Sequence, residues 1–245
     1  MNNPTLIGHR SNSPELGRLG TCLSDHIEGL TTATSLDQIP NNTEAIVHCR
    51  RNDDLLPDII AYCQQNGIDL LNLSSNAQYE LPTELNFLFL ECPNISIPVM
   101  RFSNDINKVC ALASEPFEVR VTEHHPETKK DRAGTAQDMN DRVALFEQAI
   151  NQRGYYRKTI RSVRDLAETQ TRFDVPAEHE GAYAIHEAAV VRLRDSKIMT
   201  EGVVETYGHL DYAEGLQQIL QTRQKIDSTT GFMLVADFYR QYMTD

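Results

Sequence analysis

AIVHCRRNDDLLPDIIAYCQQNGIDLLNLSS, running from Ala45 to Ser75, is the stretch that decides the fold. Ala45-Ile46-Val47 is a short apolar run of the length of a buried strand. Asn52 or Asp53 can then cap a helix in which Leu55, Leu56, Ile59, Ile60 and Cys63 recur at helical spacing. Gly67 stops that helix, because glycine adopts the left-handed closing conformation without steric cost. Leu70 to Leu73 is a second apolar run and ends in Ser74-Ser75. A strand, a helix and a strand within about thirty residues form a crossover unit, and repeated crossover units build parallel sheets.

The pattern extends in both directions. Thr5-Leu6-Ile7 is a short strand before the polar run Arg10-Ser11-Asn12-Ser13-Pro14. Phe87 to Leu90 is another, ending at Cys92-Pro93-Asn94. Around Pro98 the character changes. Val99, Phe102, Ile106 and Val109 mark a helix, and Phe117 to Val121 alternates as a strand does. Met139, Val143, Phe146 and Ile150 share one face of a helix expected from Thr135 to Arg153, with Gly154 as its stop. Tyr183–Val191 and Ile198–Val204 read as two strands, and Tyr212–Gln221 and Phe232–Met243 as two closing helices. The expected fold class is α/β. An abbreviated Rossmann-like parallel sheet occupies residues 1–96, with 208–245 packing back on it. Residues 97–207 form an α+β substrate-binding and oligomerisation domain with a mixed sheet.

Composition excludes several classes. The chain has 245 residues, of which 40% are hydrophobic and 24% charged, enough for two ordinary cores. A net charge of −12 gives no support to nucleic-acid binding, which needs cations along a phosphate backbone. No segment approaches the roughly 18 to 20 continuous apolar residues that span a bilayer, so no membrane partner is expected. The opening residues lack a charged-then-apolar signal pattern, and the expected location is the cytoplasm. The five cysteines form no CxxC pair, which argues against a disulfide framework or zinc finger and for buried free thiols.

The chemistry concentrates between Val121 and Ala136, VTEHHPETKKDRAGTA. Gly134, Thr135 and Ala136 fall at a helix start, where backbone N–H groups lack intrahelical partners and the dipole is positive. Gly134 lets an anion approach the backbone closely. Lys129 and Lys130 lie on the preceding loop, and His124 and His125 end the strand. Two donor clusters converging in this way suit a small dicarboxylate, and imidazoles near neutral pH suit general acid catalysis. Strand neighbours face opposite sides, however, so His124 and His125 share a ligand only where the strand has ended. Glu123, His124, His125 and Glu127 lack zinc-ligand spacing, and no metal is expected.

The order Glu-His-His, Lys-x-Asp, Gly-Thr-Ala closely resembles the signature of the dihydrodipicolinate reductase family (4-hydroxy-tetrahydrodipicolinate reductases), in its tighter chloroplast-type form. Val175-Pro176, Gly181 and His186 are similar to that type's VP…GHAxHxYH run, and Tyr212-Ala213-Glu214-Gly215 to its YAEG. Pro93-Asn94-Ile95-Ser96 resembles the family's PNFS turn, and Ser74-Ser75 stands where it has GTTG. The resemblance implies reduction of a cyclic imine dicarboxylate by NADPH or NADH, in lysine or diaminopimelate synthesis. It implies His124 and Lys129 as proton donors, and His125, Gly134 and Thr135 as ligands of a substrate carboxylate. It places Arg10, Ser74, Ser75 and Asn94 against the cofactor, and implies a homotetramer assembled through the second domain's sheet.

The sequence departs from the family at its opening. No GxxGxMG phosphate turn is present, and Leu6 to Gly17 resembles the family's second strand and SPxLG loop. The expectation is therefore a chain lacking the first strand, its glycines and one helix, with weakened cofactor binding. Ala133 also replaces the Ser of SGTA, and Thr128 adds a residue before Lys129. Two other readings remain beside the reductase. One is a divergent paralogue that keeps the dicarboxylate site without hydride transfer. The other is an assembly subunit of a full-length homologue.

Overall fold

A computed structural model of the chain describes residues 3–8, 15–50, 55–74, 79–92, 94–113, 115–128, 156–226 and 229–244. They divide into two compact units, residues 1–95 with 212–245, and residues 96–211. The strands in chain order are β1 (Pro4–Ile7), β2 (Thr31–Thr32), β3 (Ala45–His48), β4 (Asp69–Asn72), β5 (Leu88–Glu91), β6 (Phe117–His124), β7 (Tyr156–Val163), β8 (Tyr183–Arg192), β9 (Ile198–Tyr207) and β10 (Gly231–Leu234). The described α-helices are α1 (Arg18–His26), α2 (Leu56–Asn66), α3 (Ile97–Leu112), α4 (Leu166–Gln170), α5 (Leu210–Arg223) and α6 (Val235–Tyr242). The helix expected from Thr135 to Arg153 lies outside the described residues.

The first unit is built on a parallel sheet in the order β10-β5-β4-β3-β1-β2. Every residue of β1 and β3 is buried, which is why both read as unbroken apolar runs. Ile59 and Cys63 of α2 pack with Ile7, Ile46, Leu70 and Phe89 in one core. Gly67 closes α2 at φ 65 and ψ 34, as its position in the sequence requires. Arg223, at the end of α5, donates from Nε to Oδ2 of Asp69 at 2.6 Å, while Oδ1 accepts from the Leu88 amide at 2.9 Å. One carboxylate thus ties α5, β4 and β5 together.

β1 lies inside the sheet between β2 and β3, and the chain leaves it for α1. Those are the neighbours of the first strand of a Rossmann sheet or, where that strand is absent, of its second, which then pairs with the third and the fourth. β2, on the flank of the sheet, contributes only two residues. One correction concerns Phe232 to Leu234, expected to be helical. Gly231–Leu234 instead pairs in parallel with β5, and Phe232 stacks on Phe89 at 5.7 Å between centroids. A three-residue apolar run carries no period to distinguish strand from helix. The stripe of Val235, Phe238 and Tyr239 is buried on α6.

The second unit carries a mixed sheet, β7-β6-β8-β9, in which β6 runs parallel to β7 and antiparallel to β8. α3 packs on one face, with Val99, Ile106 and Cys110 against Val119, Val121 and Val190. Gly202 is needed there: a Cβ would sit 2.7 Å from Cε2 of Phe102. β7 was not foreseen. Its Arg and Lys residues are the composition of a solvated edge strand and mask the alternation.

Candidate functional site

The chain passes from β1 to β2 on one side and then to β3 on the other, so the sheet reverses its order of progression at β1. In open α/β sheets ligands bind beyond the carboxyl ends of the strands at such a point. Gly8 follows β1 directly, and a Cβ on it would lie 2.6 Å from Sγ of Cys49. Gly17 is the N-cap of α1, donates its amide to the Gly8 carbonyl at 3.1 Å, and offers no side chain to cap the helix. Gly20, one turn later, has the Gly8 carbonyl 3.2 Å from where its Cβ would be. Together these glycines give a bend out of the strand, a helix start without a side-chain cap, and close helix–strand packing. In sequence, residues 9–16 separate Gly8 from Gly17.

A polar row crosses the same edge of the sheet. His48, Asn72 and Glu91 are register partners at the ends of β3, β4 and β5. Nδ1 of His48 and Oδ1 of Asn72 are 2.9 Å apart, and Nδ2 of Asn72 donates to Oε2 of Glu91 at 2.8 Å. Tyr79 donates to the same oxygen at 2.8 Å. Ser74 closes the row, its Oγ 3.2 Å from Nδ1 of His48 and donating to the Arg50 carbonyl. Burial raises the Glu91 carboxyl above its ordinary range, opposed by hydrogen bonds from Asn72 and Tyr79 and by His48. The folded chain therefore holds this proton more tightly than the unfolded one. Its stabilising contribution is complete below the unfolded value and fades as pH rises through the folded value. Glu91→Gln, which keeps an acceptor without the charge, is expected to flatten the fall in stability above the usual carboxylate range. Urea denaturation across that range would show it, and an unchanged slope would remove Glu91 as the source. Burial raises the thiols nearby, Cys49 to about 12 and Cys92 well above its usual value.

The second candidate site lies at the end of β6. His124 and His125 point to opposite faces of the sheet, as alternation requires. His124 is buried, with Nδ1 3.2 Å from Oγ1 of Thr169, Nε2 2.8 Å from Oε1 of Glu187, and its ring edge-on to Phe173. Arg172 pairs with the other Glu187 oxygen. On the α3 face, the stripe Val119, Val121 continues as Glu123 and His125, and the stripe Val190, Ala188 continues as His186. His186 is the register partner of Glu123. Oε1 of Glu123 accepts from Oγ of Ser162 and from Arg164, both at 2.7 Å. A cavity of about 700 Å³ nearby is lined by Pro126, Glu127, Thr128, Arg164, Asp165 and Glu180.

Of the residues expected to form the site, His124, His125, Ser74 and Asn94 are described, and all four are buried. Arg10, Ser75, Lys129, Gly134 and Thr135 lie outside the described residues. The sequence reading passed over the row formed by His48, Asn72 and Glu91, and over the pairing of Glu123 with His186. The i, i+2 spacing of Glu123 and His125 was the available sign of a shared face. His186 joins them only through the β6–β8 register, which no local pattern encodes.

No family model and no curated protein matches the chain. Among solved structures it is similar to a dipicolinate-bound dihydrodipicolinate reductase from Paenisporosarcina sp. TG-14, at 13% identity and a TM-score of 0.59, over 97% of this chain and 99% of that one. A meso-dapdh mutant from Clostridium tetani E88 aligns at 8% identity and a TM-score of 0.39, over 98% and 95% of the two chains. An aspartate semialdehyde dehydrogenase II from Vibrio cholerae aligns at 10% identity and 0.36, over 78% and 74%. The first likeness shows the fold. The chain has the two-unit α/β fold of that reductase.

Proposed function

We propose that this chain is an NAD(P)H-dependent oxidoreductase reducing a dihydrodipicolinate-like cyclic imine dicarboxylate, in lysine or diaminopimelate synthesis. The observation that supports it is the β1–glycine–α1 unit at the reversal of the sheet. In this reading that unit would serve in place of the absent GxxGxMG turn. The amides of the first turn of α1, from Arg18 to Gly20, would hold the pyrophosphate, with Arg10, Ser74, Ser75 and Asn94 along the rest of the nucleotide. The nicotinamide, when bound, supplies the hydride. In the same reading His125, Gly134 and Thr135 hold a substrate carboxylate, and His124 or Lys129 delivers the proton to the ring nitrogen. A cytoplasmic homotetramer belongs to this reading, and light scattering of the full chain measures its mass.

The test is oxidation of NADPH and NADH by the purified chain, with the aldolase product as substrate. Turnover with one of them is expected. No turnover, in a sample that binds neither nucleotide, would reject the proposal.

A second reading is favoured by His124, whose ring nitrogens are both engaged by Thr169 and Glu187 on the face away from His125. In that reading the chain binds a small dicarboxylate without hydride transfer. Calorimetry separates the two, because pyridine-dicarboxylate binding without NADPH binding supports only the second.

A further inference from the structure

We propose that Glu123, His125 and His186 form a binding site for one divalent transition-metal ion of the zinc class. All three side chains are at most 3% exposed, and one ligand atom from each lies within 4.8 Å of the others. Two imidazoles and one carboxylate are the donor set of many zinc centres, with a further position left for water or another ligand.

The arrangement around each donor favours an ion over a simple hydrogen-bonded cluster. Nδ1 of His125 is 3.3 Å from the Tyr183 carbonyl, which can only accept, so the proton belongs on Nδ1 and the lone pair on Nε2. Metal-bound histidines are oriented in this way, with the second ring nitrogen donating to a carbonyl. Nε2 then faces Oε2 of Glu123 at 4.0 Å, too far for a hydrogen bond. Oε2 is buried and, among the described residues, accepts no hydrogen bond, although Oε1 of the same carboxylate accepts two. A buried carboxylate oxygen left without a donor is costly. An ion between Oε2 and the two imidazoles would remove that cost, while Arg164 and Ser162 hold the carboxylate in orientation. Zinc bonds of about 2.0–2.2 Å place tetrahedral ligand atoms roughly 3.3–3.5 Å apart, so side-chain rotations closing the group by up to about 1.5 Å complete the site. His186 is held opposite Glu123 by the β6–β8 register, so two of the three donors are fixed by the sheet.

The site goes beyond the proposed reduction and does not depend on it. If both hold, a substrate carboxylate would reach His125 through the ion's open position, and only that clause rests on the reductase reading.

The experiment uses the full chain, treated with chelator and dialysed, with no nucleotide or dicarboxylate present. Zn²⁺ is titrated by calorimetry and Co²⁺ by visible absorption. One equivalent per chain is expected, with the intense Co²⁺ bands of a four-coordinate site bleached by Zn²⁺. His186→Gln and Glu123→Gln are each expected to weaken uptake by at least about 100-fold, and His124→Gln, on the opposite face, to leave it unchanged. Circular dichroism checks that each variant is folded. Wild-type protein taking up no stoichiometric ion would overturn the site, whatever the variants do. Equal loss in His124→Gln and His186→Gln would also overturn it. Because nucleotide is absent, neither failure bears on the reductase reading.

Discussion

Gly17→Ala is expected to weaken NADPH binding by about 2–3 kcal/mol, or roughly 30- to 150-fold in Kd, while leaving the fold intact. Gly17 sits at φ −67 and ψ 166, extended backbone that any residue adopts. Among the described residues, its added Cβ would find only the Gly8 carbonyl within 4 Å, at 3.9 Å, which is ordinary contact. Those residues therefore leave room for alanine. A bound pyrophosphate does not, because it must come within hydrogen-bonding distance of the amides that begin α1, and hydrogen bonds to a charged group are the strong ones. Gly20→Ala should behave differently. Its Cβ would press on the backbone carbonyl of Gly8 at 3.2 Å and push α1 off β1, costing about 1–3 kcal/mol of stability with or without nucleotide. The chain has no tryptophan, so titration is read from the nicotinamide's own fluorescence. Wild-type affinity in Gly17→Ala would show that the helix start does not meet the phosphates, and the proposed function would lose its principal support.

The contrast between these two glycines shows what the letters could and could not reveal. β3, α2, β4 and β5 were legible because buried parallel strands are short apolar runs, and because Gly67 closes α2 in the left-handed region. The approach of α1 to β1 was obscured by distance along the chain, since residues 9–16 separate Gly8 from Gly17 although their backbones are hydrogen-bonded. β7 failed for the opposite reason: one solvated edge strand needs no apolar face, so its cations concealed its period. At the second site the alternation objection was correct, since His124 and His125 do part to opposite faces. What could not be read was the company each keeps. Thr169 and Glu187 meet His124, and His186 meets Glu123, only because β8 returns antiparallel in one particular register.

Arg164→Ala is expected to destabilise the second unit more than Glu123→Ala, although both variants break the same ion pair. Glu123 is fully buried, whereas the Arg164 side chain is 23% exposed. Removing the arginine strands a buried carboxylate that keeps, among the described residues, only the Ser162 hydroxyl as a hydrogen-bond donor to Oε1. Removing one partner of a buried pair in this way costs about 3–5 kcal/mol. Removing the glutamate leaves a guanidinium on a long, flexible stem that can turn its head to solvent, so the cost falls to about 2 kcal/mol, chiefly lost packing and a lost hydrogen bond. With two units in one chain, a single global unfolding curve would blend their stabilities. Amide hydrogen exchange along β6 and β8 reports the affected sheet directly. Chelator in the buffer keeps any bound ion from adding to the difference. Equal losses in the two variants, or a larger loss in Glu123→Ala, would mean that the carboxylate is not held in place chiefly by Arg164. The donor facing Oε1 would then have to be sought elsewhere along the Glu123 side of the sheet.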